Sequence, residues 1–202
     1  MHAIIFHGTE CTPDMFWYGW LAEQLRARGY QVEVPHYPEI NREDISTFVP
    51  KVMQAHAITE DTVLIGHSSG GTLILSLAEQ LKFKQGILVA GFSSPYDGIE
   101  KDPILQDKYD WKKIAGNCPD FVFINSANDP WGCDDKQGRA MFDELGGTQI
   151  IRTEGHFGSN GAEQEFPTFP LLERLVAQRG SRGLRQGAAS GTIPAWHNFL
   201  LT

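Results

Sequence analysis

The segment VLIGHSSGGTL, at residues 63–73, has the residue types and spacing to present a reactive hydroxyl. An aliphatic run stops at a G-x-S-x-G pattern, in which Gly66 and Gly70 flank Ser68, and the sequence then becomes aliphatic again. This order predicts a buried strand, a sharp turn and a helix, with glycines where side chains would collide with neighbouring backbone. The alternative is a turn that serves only packing. The pattern makes Ser68 the candidate nucleophile.

A serine hydroxyl is a weak nucleophile unless a base accepts its proton. His156, in TEGHFGSNG, follows the last predicted strand and precedes the last predicted helix, so its ring is expected at the sheet edge near Ser68. His67 lies inside the turn itself and cannot fold back on its neighbour as the base. The other histidines that we discount are expected to be exposed, near a terminus or on the surface: His2, His36, His56 and His197.

Asp129 is the candidate carboxylate that would orient the base. It follows the apolar run FVFIN in the loop SANDPWG, at the same end of the predicted sheet as Ser68. Its carboxylate would accept the Nδ1 proton of His156 and stabilise the imidazolium. Two alternatives stay open: Asp129 is an ordinary turn aspartate before proline, or Asp97, after the preceding strand, is the acid instead.

Two backbone N–H groups are candidate donors to an oxyanion that forms beside Ser68. The N–H of Ser69 lies at the start of the predicted helix, where amides lack partners and carry partial positive charge. The first predicted strand ends in FHGTE, and the N–H of Thr9 is the second candidate donor. Gly8 would let the backbone approach a substrate carbonyl, so we expect it in the substrate-binding site.

His7 is expected to brace this loop by hydrogen bonding rather than to bind a metal. The sequence has no H-x-E-x-x-H spacing and no cluster of cysteines and histidines that would support a metal site. We therefore predict no metal and no cofactor.

Aromatic residues near the candidate site could line a pocket for the acyl group of a substrate. Phe16 and Trp17 follow the oxyanion loop within the stretch FWYGW, and Trp131 lies two residues after Asp129. The alternative for each is a place in the hydrophobic core, which is the more common role for aromatic residues at such spacing.

Short apolar runs alternate with longer segments of helical period along the chain. The predicted strands are residues 3–6, 31–34, 62–65, 86–90, 121–125 and 148–151. The predicted helices are a segment that starts at Thr12-Pro13 and ends near Gly29, followed by residues 44–55, 69–82, 134–145 and 167–178. Most strands are almost continuously apolar, which is typical of a parallel sheet covered on both faces. The fold class is therefore α/β, a three-layer, doubly wound, mostly parallel sheet of about six strands.

Two segments do not follow this alternation. Residues 93–117 contain two prolines and several charges, and we expect an irregular excursion with one or two short helices that walls the substrate pocket. Residues 180–202 lack helical or strand period until their end, and we interpret them as a flexible or expression-derived tail. The domain is expected to span residues 1–179.

The chain of 202 residues has a net charge of -8 and only short basic groups, which argues against nucleic-acid or anionic-membrane partners. The start of the chain lacks a secretion signal, and no apolar stretch reaches the roughly 18 residues of a membrane span. Three cysteines without paired spacing favour a reducing compartment, and the cytoplasm is the simplest interpretation.

Four motifs in this order resemble one family: H-G-T near the start, G-H-S-S-G, then N-D-P, then G-H-F. The chain resembles, over residues 1–178, the small α/β-hydrolases related to retinoblastoma-binding protein nine. The resemblance implies a compact α/β-hydrolase without a large lid that cleaves small carboxylic esters or amides. It also implies that the nucleophile, acid and base are Ser68, Asp129 and His156, in that chain order. The chain has no L-x-C-x-E segment, so nothing supports binding to pocket proteins.

Two other functions stay open from the sequence. A non-catalytic relative could serve as a protein-interaction module, although each triad position here has a candidate residue. A cysteine hydrolase could use Cys133 or Cys11, although neither lies in a strand-turn-helix context. The physiological substrate and the oligomeric state are not predicted.

Overall fold

The computed structural model describes residues 1–95 and 101–179, with the side chains of 177–179 left aside. The strands are β1 His2–Phe6, β2 Gln31–Glu33, β3 Thr62–His67, β4 Gln85–Val89, β5 Phe121–Ser126 and β6 Thr148–Arg152. The helices are α1 Tyr18–Ala27, α2 Ile45–Ala55, α3 Ser69–Ala78, α4 Trp111–Asn117, α5 Asp135–Leu145 and α6 Pro170–Arg179. Within these residues no helix has the length and apolar character needed to cross a membrane.

The six strands form one sheet in the order β2-β1-β3-β4-β5-β6, and every neighbouring pair is parallel. Helices α2 to α5 contact one another in succession, whereas α1 contacts α6. Right-handed crossovers therefore place these two groups of helices on opposite faces of the sheet. This confirms the predicted three-layer α/β fold.

The winding direction reverses between β1 and β3, and ligands of such sheets bind outside the carboxyl ends of the strands at this position. Phe6, at the end of β1, is in register with Gly66 in β3. The loop after β1 and the turn after β3 therefore leave the sheet side by side. Every residue of β3 and of α3 is buried, which holds this junction inside the core.

The predicted start of the first helix at Thr12-Pro13 is wrong. Glu10 and Phe16 have positive φ values of 59° and 50°, so the backbone between β1 and α1 cannot continue as a right-handed helix. The Thr12 hydroxyl instead donates to the Asp14 carboxylate at 2.5 Å, within the loop. The helix begins at Tyr18, and this leaves a long loop against the carboxyl edge of the sheet.

The excursion after β4 contains one short described helix, α4, which Asp110 caps by accepting the N–H of Lys113 at 3.0 Å. Helix α3 ends at Ala78, earlier than predicted, and α6 begins at Pro170, later than predicted.

The alternative acid Asp97 and the predicted tail at residues 180–202 lie outside the described residues.

His36 is exposed as predicted, but the same prediction for His56 and His2 is wrong. The His56 side chain is only 7% exposed and lies between Glu33 and Tyr37, at 2.6 Å and 2.7 Å respectively. His2 is also partly covered and contacts the other carboxylate oxygen of Glu33 at 2.7 Å. The carboxylate of Glu33, whose side chain is 43% exposed, thus contacts both rings, and the sequence spacing does not reveal this pairing. His197 lies outside the described residues.

The two glycines of the turn after β3 are required by close backbone contacts, as predicted. A Cβ on Gly66 would lie 2.2 Å from the carbonyl oxygen of Gly70, and a Cβ on Gly70 would lie 2.4 Å from that of Phe6. Real Cβ atoms do not approach backbone this closely, so any side chain at either position would push α3 away from the sheet.

We expect Gly70→Ala to lower the free energy of unfolding by about 1–3 kcal/mol or more, because its Cβ would overpack the contact with β1. Gly116→Ala is the matched control, since a Cβ on Gly116 in α4 would meet nothing within 4 Å. Alanine there should be neutral or stabilising by up to about 1 kcal/mol. Urea unfolding of both variants measures the difference, and equal stabilities would contradict this account of the junction.

Candidate active site

Ser68 lies at the tip of the turn between β3 and α3 in a strained backbone conformation. Its φ is 54° and its ψ is -121°, a combination that costs a non-glycine residue about 1–3 kcal/mol. Its N–H donates to the carbonyl of Val89 at 2.8 Å, and its carbonyl accepts the N–H groups of Gly71 and Thr72. The surrounding hydrogen bonds hold the strained turn, and the half-buried side chain reaches a surface cavity.

A cavity of about 780 Å³ opens at the carboxyl edge of the sheet. Ser68 and His156 both line it, together with the loop after β1 on one side and residues 130–133 on another. Among the described residues, no hydrogen bond joins the Ser68 hydroxyl to the His156 ring. Catalytic hydrogen bonds are commonly long in the absence of substrate, so the shared cavity is the relevant geometric feature.

His156 lines this cavity, and Asp129 lies behind it as its close acid–base partner. Oδ2 of Asp129 lies 2.8 Å from Nδ1 of His156, and the two side chains are 0% and 8% exposed. Oδ1 of Asp129 accepts the N–H of Trp131 at 2.8 Å, so both carboxylate oxygens have partners. With the proton on Nδ1 facing the carboxylate, Nε2 of His156 carries the lone pair that can accept a proton.

The loop after β1 packs directly against the turn that carries Ser68. A Cβ on Gly8 would lie 3.2 Å from Cβ of Ser68. The hydroxyl groups of Thr9 and Ser69 are hydrogen-bonded to each other, which joins the two segments. In the part of the chain that the structure describes, no protein acceptor bonds the amide N–H of Thr9 or of Ser69. Both amides are therefore available to a ligand beside Ser68.

His7 braces its loop by hydrogen bonding, as predicted. Its Nε2 accepts the N–H of Tyr37 at 2.9 Å, so the ring proton lies on Nδ1 and is donated to the carbonyl of Gly8 at 2.7 Å. Burial lowers the pKa of His7, which favours the neutral ring that this pattern requires.

His67 is the residue whose part in the site the sequence analysis missed. It is buried, 1% exposed, and its Nδ1 lies 2.5 Å from the hydroxyl of Tyr18. Its Nε2 lies 2.7 Å from the carbonyl oxygen of His156. Adjacency to Ser68 in the sequence rules His67 out as the base, but that argument does not address contacts to other loops. The sequence offered one signal of these contacts, which is that His67 is a polar residue at the end of an otherwise apolar strand.

The aromatic residues expected to form an acyl pocket separate into three environments. Trp17 is fully buried and donates from its indole to the carbonyl of Phe157 at 3.1 Å, so it belongs to the core and does not line the cavity. Phe16 packs against Gly158 and lines a separate cavity of about 470 Å³. Trp131 is 47% exposed at the rim of the main cavity. Of the three, only Trp131 lies where it was expected.

The fold also brings together three groups that could bind a metal, although their sequence spacing gave no sign of it. One potential ligand atom from each of Asp129, Cys133 and His156 lies within 4.8 Å of the others. Two of these residues are the hydrogen-bonded acid–base pair, so a metal there would have to displace the shared proton. Cys11 also lines the cavity, and burial raises the pKa of its thiol, which reduces its reactivity.

A model of the family described as serine hydrolase matches residues 3–177. The chain is 28% identical over 118 residues to the serine hydrolase RBBP9 of Rattus norvegicus, covering 57% of this chain and 63% of that protein. The match therefore spans less than two thirds of the rat protein. The chain is also 27% identical over 131 residues to YdeN of Bacillus subtilis (strain 168), covering 62% of this chain and 69% of that protein.

The crystal structure of the ydeN gene product from B. subtilis has the same fold, with a TM-score of 0.79 at 22% identity. The superposition covers 90% of this chain and 99% of that one. These comparisons confirm the resemblance drawn from the four sequence motifs. Because the family model covers most of the chain, the protein belongs to the serine hydrolase family.

Proposed function

We propose that this protein hydrolyses carboxylic esters, or amides, of small substrates through an acyl-enzyme on Ser68. In this proposal His156 is the general base and acid, and Asp129 orients it. The N–H groups of Thr9 and Ser69 form the oxyanion hole. The reaction uses no cofactor.

One observation carries the proposal: His156 lines the same cavity as a serine on a strained strand-turn-helix, and its ring lies 2.8 Å from the buried carboxylate of Asp129. A buried carboxylate such as that of Asp129 needs a hydrogen-bonding partner, and many polar groups could serve. A packing role alone does not explain why the partner is the imidazole of His156, whose Nε2 can still accept a proton. The strain at Ser68 likewise has no use in packing, whereas it suits the presentation of a nucleophile.

The first half of the reaction forms the acyl-enzyme. Nε2 of His156 accepts the Ser68 proton as Oγ attacks the substrate carbonyl, and the negative charge moves to the carbonyl oxygen. The Asp129 carboxylate stabilises the imidazolium that results. When the tetrahedral intermediate collapses, the bond to the leaving group breaks, and the imidazolium donates its proton to the departing alkoxide or amine.

The second half releases the acid and restores the serine. His156 accepts a proton from water as the water attacks the acyl carbon, and then returns that proton to Oγ of Ser68. In both halves the charge on the carbonyl oxygen develops beside the two proposed amide donors. Each donor of this kind contributes about 3–4 kcal/mol of transition-state stabilisation.

The cavity of about 780 Å³ has the volume of a pocket for a small molecule, and Trp131 at its rim is the aromatic residue placed to contact the acyl or leaving group. The cytoplasm is the proposed location, and it rests on three cysteines without paired spacing.

We expect Ser68→Ala to lower kcat for p-nitrophenyl acetate by at least about 10⁴-fold and to abolish labelling by a fluorophosphonate, because Ser68 lies at the strained tip of the turn whereas the neighbouring Ser69 hydroxyl is hydrogen-bonded to Thr9. Circular dichroism should confirm that the variant is folded. Cys133→Ala is the comparison that tests a cysteine nucleophile, and it should still be labelled. Labelling that persists in Ser68→Ala would reject the assignment.

We expect Asp129→Asn to lower kcat by about 10⁴-fold with little change in KM, because an amide no longer fixes the proton on Nδ1 or stabilises the imidazolium. Asp143→Asn is the matched control, since that carboxylate is exposed on α5 and contacts only Arg139 among the described residues. Steady-state kinetics on the same ester compare the two variants. Equal activities would show that Asp129 is a turn residue without a catalytic part.

A further inference from the structure

One buried imidazole, that of His67, lies at the meeting point of three loops around the cavity. Its Nε2 is 2.7 Å from the carbonyl oxygen of His156, and its Nδ1 is 2.5 Å from the Tyr18 hydroxyl. The Tyr18 oxygen also accepts the N–H of Gly8, at 3.4 Å. His67 itself immediately precedes Ser68, so one ring contacts the segments of the nucleophile, the base and the oxyanion loop.

For a neutral His67 ring, the partners at the two ends of this hydrogen-bond network fix the direction of each bond. The His156 carbonyl can only accept, so Nε2 of His67 carries the ring proton. Nδ1 therefore carries a lone pair and accepts from the Tyr18 hydroxyl. The Tyr18 oxygen in turn accepts from the Gly8 N–H, which can only donate. In the neutral ring, the network therefore fits only the tautomer with the proton on Nε2.

The surroundings of His67 favour that neutral form. The rings of Phe16 and Trp17 pack against it with centroids 6.3 Å and 5.8 Å away. The titratable groups that face it are Tyr18, His156 and His7, and Cys11 lies next to Tyr18. Burial, and secondarily the neighbouring His156, lower the pKa of His67 to about 3. The ring therefore stays neutral throughout the pH range in which His156 would work.

We propose that His67 is a positioning residue for the reaction, which places the backbone of His156 relative to Ser68 and, through Tyr18, the oxyanion loop. The inference rests on the proposed function of Ser68 and His156. His67 does not touch the substrate's reacting atoms in this scheme. Its effect comes from holding the main chain of the base, while Asp129 holds the ring.

Two amide substitutions separate the two halves of the network, because each reproduces one nitrogen of the ring. His67→Gln places an amide NH₂ near the Nε2 position, where it can still donate to the His156 carbonyl. His67→Asn places an amide oxygen near the Nδ1 position, where it can still accept from Tyr18. Asparagine is too short to reach the His156 carbonyl, which would then be buried without a donor.

We expect His67→Gln to keep kcat within about tenfold of the wild type, and His67→Asn to lower it about 10²-fold with a smaller effect on KM. A displacement of about 1 Å in a catalytic group has a cost of that size. The asparagine variant should lose kcat while KM changes little, because a displaced His156 impairs proton transfer more than substrate binding. A purely structural role for His67 would lower kcat alike in both amide variants.

Three outcomes are distinguishable when labelling of the wild type and of Ser68→Ala is measured alongside. If the wild type is not labelled, the proposed function fails. If it is labelled but the asparagine and glutamine variants share one kcat and one KM, the positioning role is wrong. If neither amide variant folds, Tyr18→Phe keeps the buried ring and removes only its hydroxyl. That variant should lower kcat about tenfold, and wild-type kcat would overturn the proposal.

The neutrality of His67 has its own test in the stability of the fold. A histidine with an unfolded pKa of 6.5 and a folded pKa of about 3 binds protons more readily when unfolded. Its contribution to the free energy of unfolding is therefore present above pH 6.5 and decreases as the pH falls below it. We expect the wild type to lose more stability than His67→Gln between pH 7 and pH 5 in urea unfolding. The contribution of His7 is the same in the wild type and in His67→Gln. If the unfolding free energies of the two proteins depended equally on pH, the neutral state of His67 would be contradicted.

Discussion

Three backbone segments meet without intervening side chains where β3 turns into α3, and the rest of the site depends on this contact. The missing side chains of Gly66 and Gly70 let the first turn of α3 lie against its own strand and against the end of β1. The approach fixes Ser68 beside the loop that carries Gly8. A pair of amides and a hydroxyl can converge on one small volume only because the backbone is this close. The surrounding core, with β3 and α3 fully buried, stabilises the strained residue at the centre.

Charge and hydrogen bonding distinguish the polar groups that surround this volume. The Asp129 carboxylate is completely covered, yet both of its oxygens have partners, so its burial costs little beyond ordinary desolvation. Two other imidazoles near the site, those of His7 and His67, have lowered pKa values because they are buried. The protein thus contains several histidines near one cavity, and the proposed function assigns proton transfer to His156, the one with a carboxylate partner.

Sequence patterns predicted the elements and the proposed site to different extents, for physical reasons. Apolar runs and glycine positions depend on local sterics, so the strands and the turn at Ser68 were recognised. The start of α1 was not, because the Thr12-Pro13 pattern gives no sign of the positive φ values of Glu10 and Phe16 that interrupt a helix there. Trp17 and Trp131 are the same residue type with opposite burial, a difference decided by the loops around them. The contacts of His67 join residues far apart in sequence, and no spacing rule encodes them.

The hydrogen bonds of His67 also bear on when the centre forms during folding. They join partners 49 and 89 residues apart, so the loops between them must close before the network exists. Chain closure over such distances comes late and is cooperative with the packing of the sheet. A nascent or locally unfolded chain would thus carry the serine without its aligned imidazole. Hydrolytic competence would then report on completion of the whole tertiary structure and would be lost early on partial unfolding.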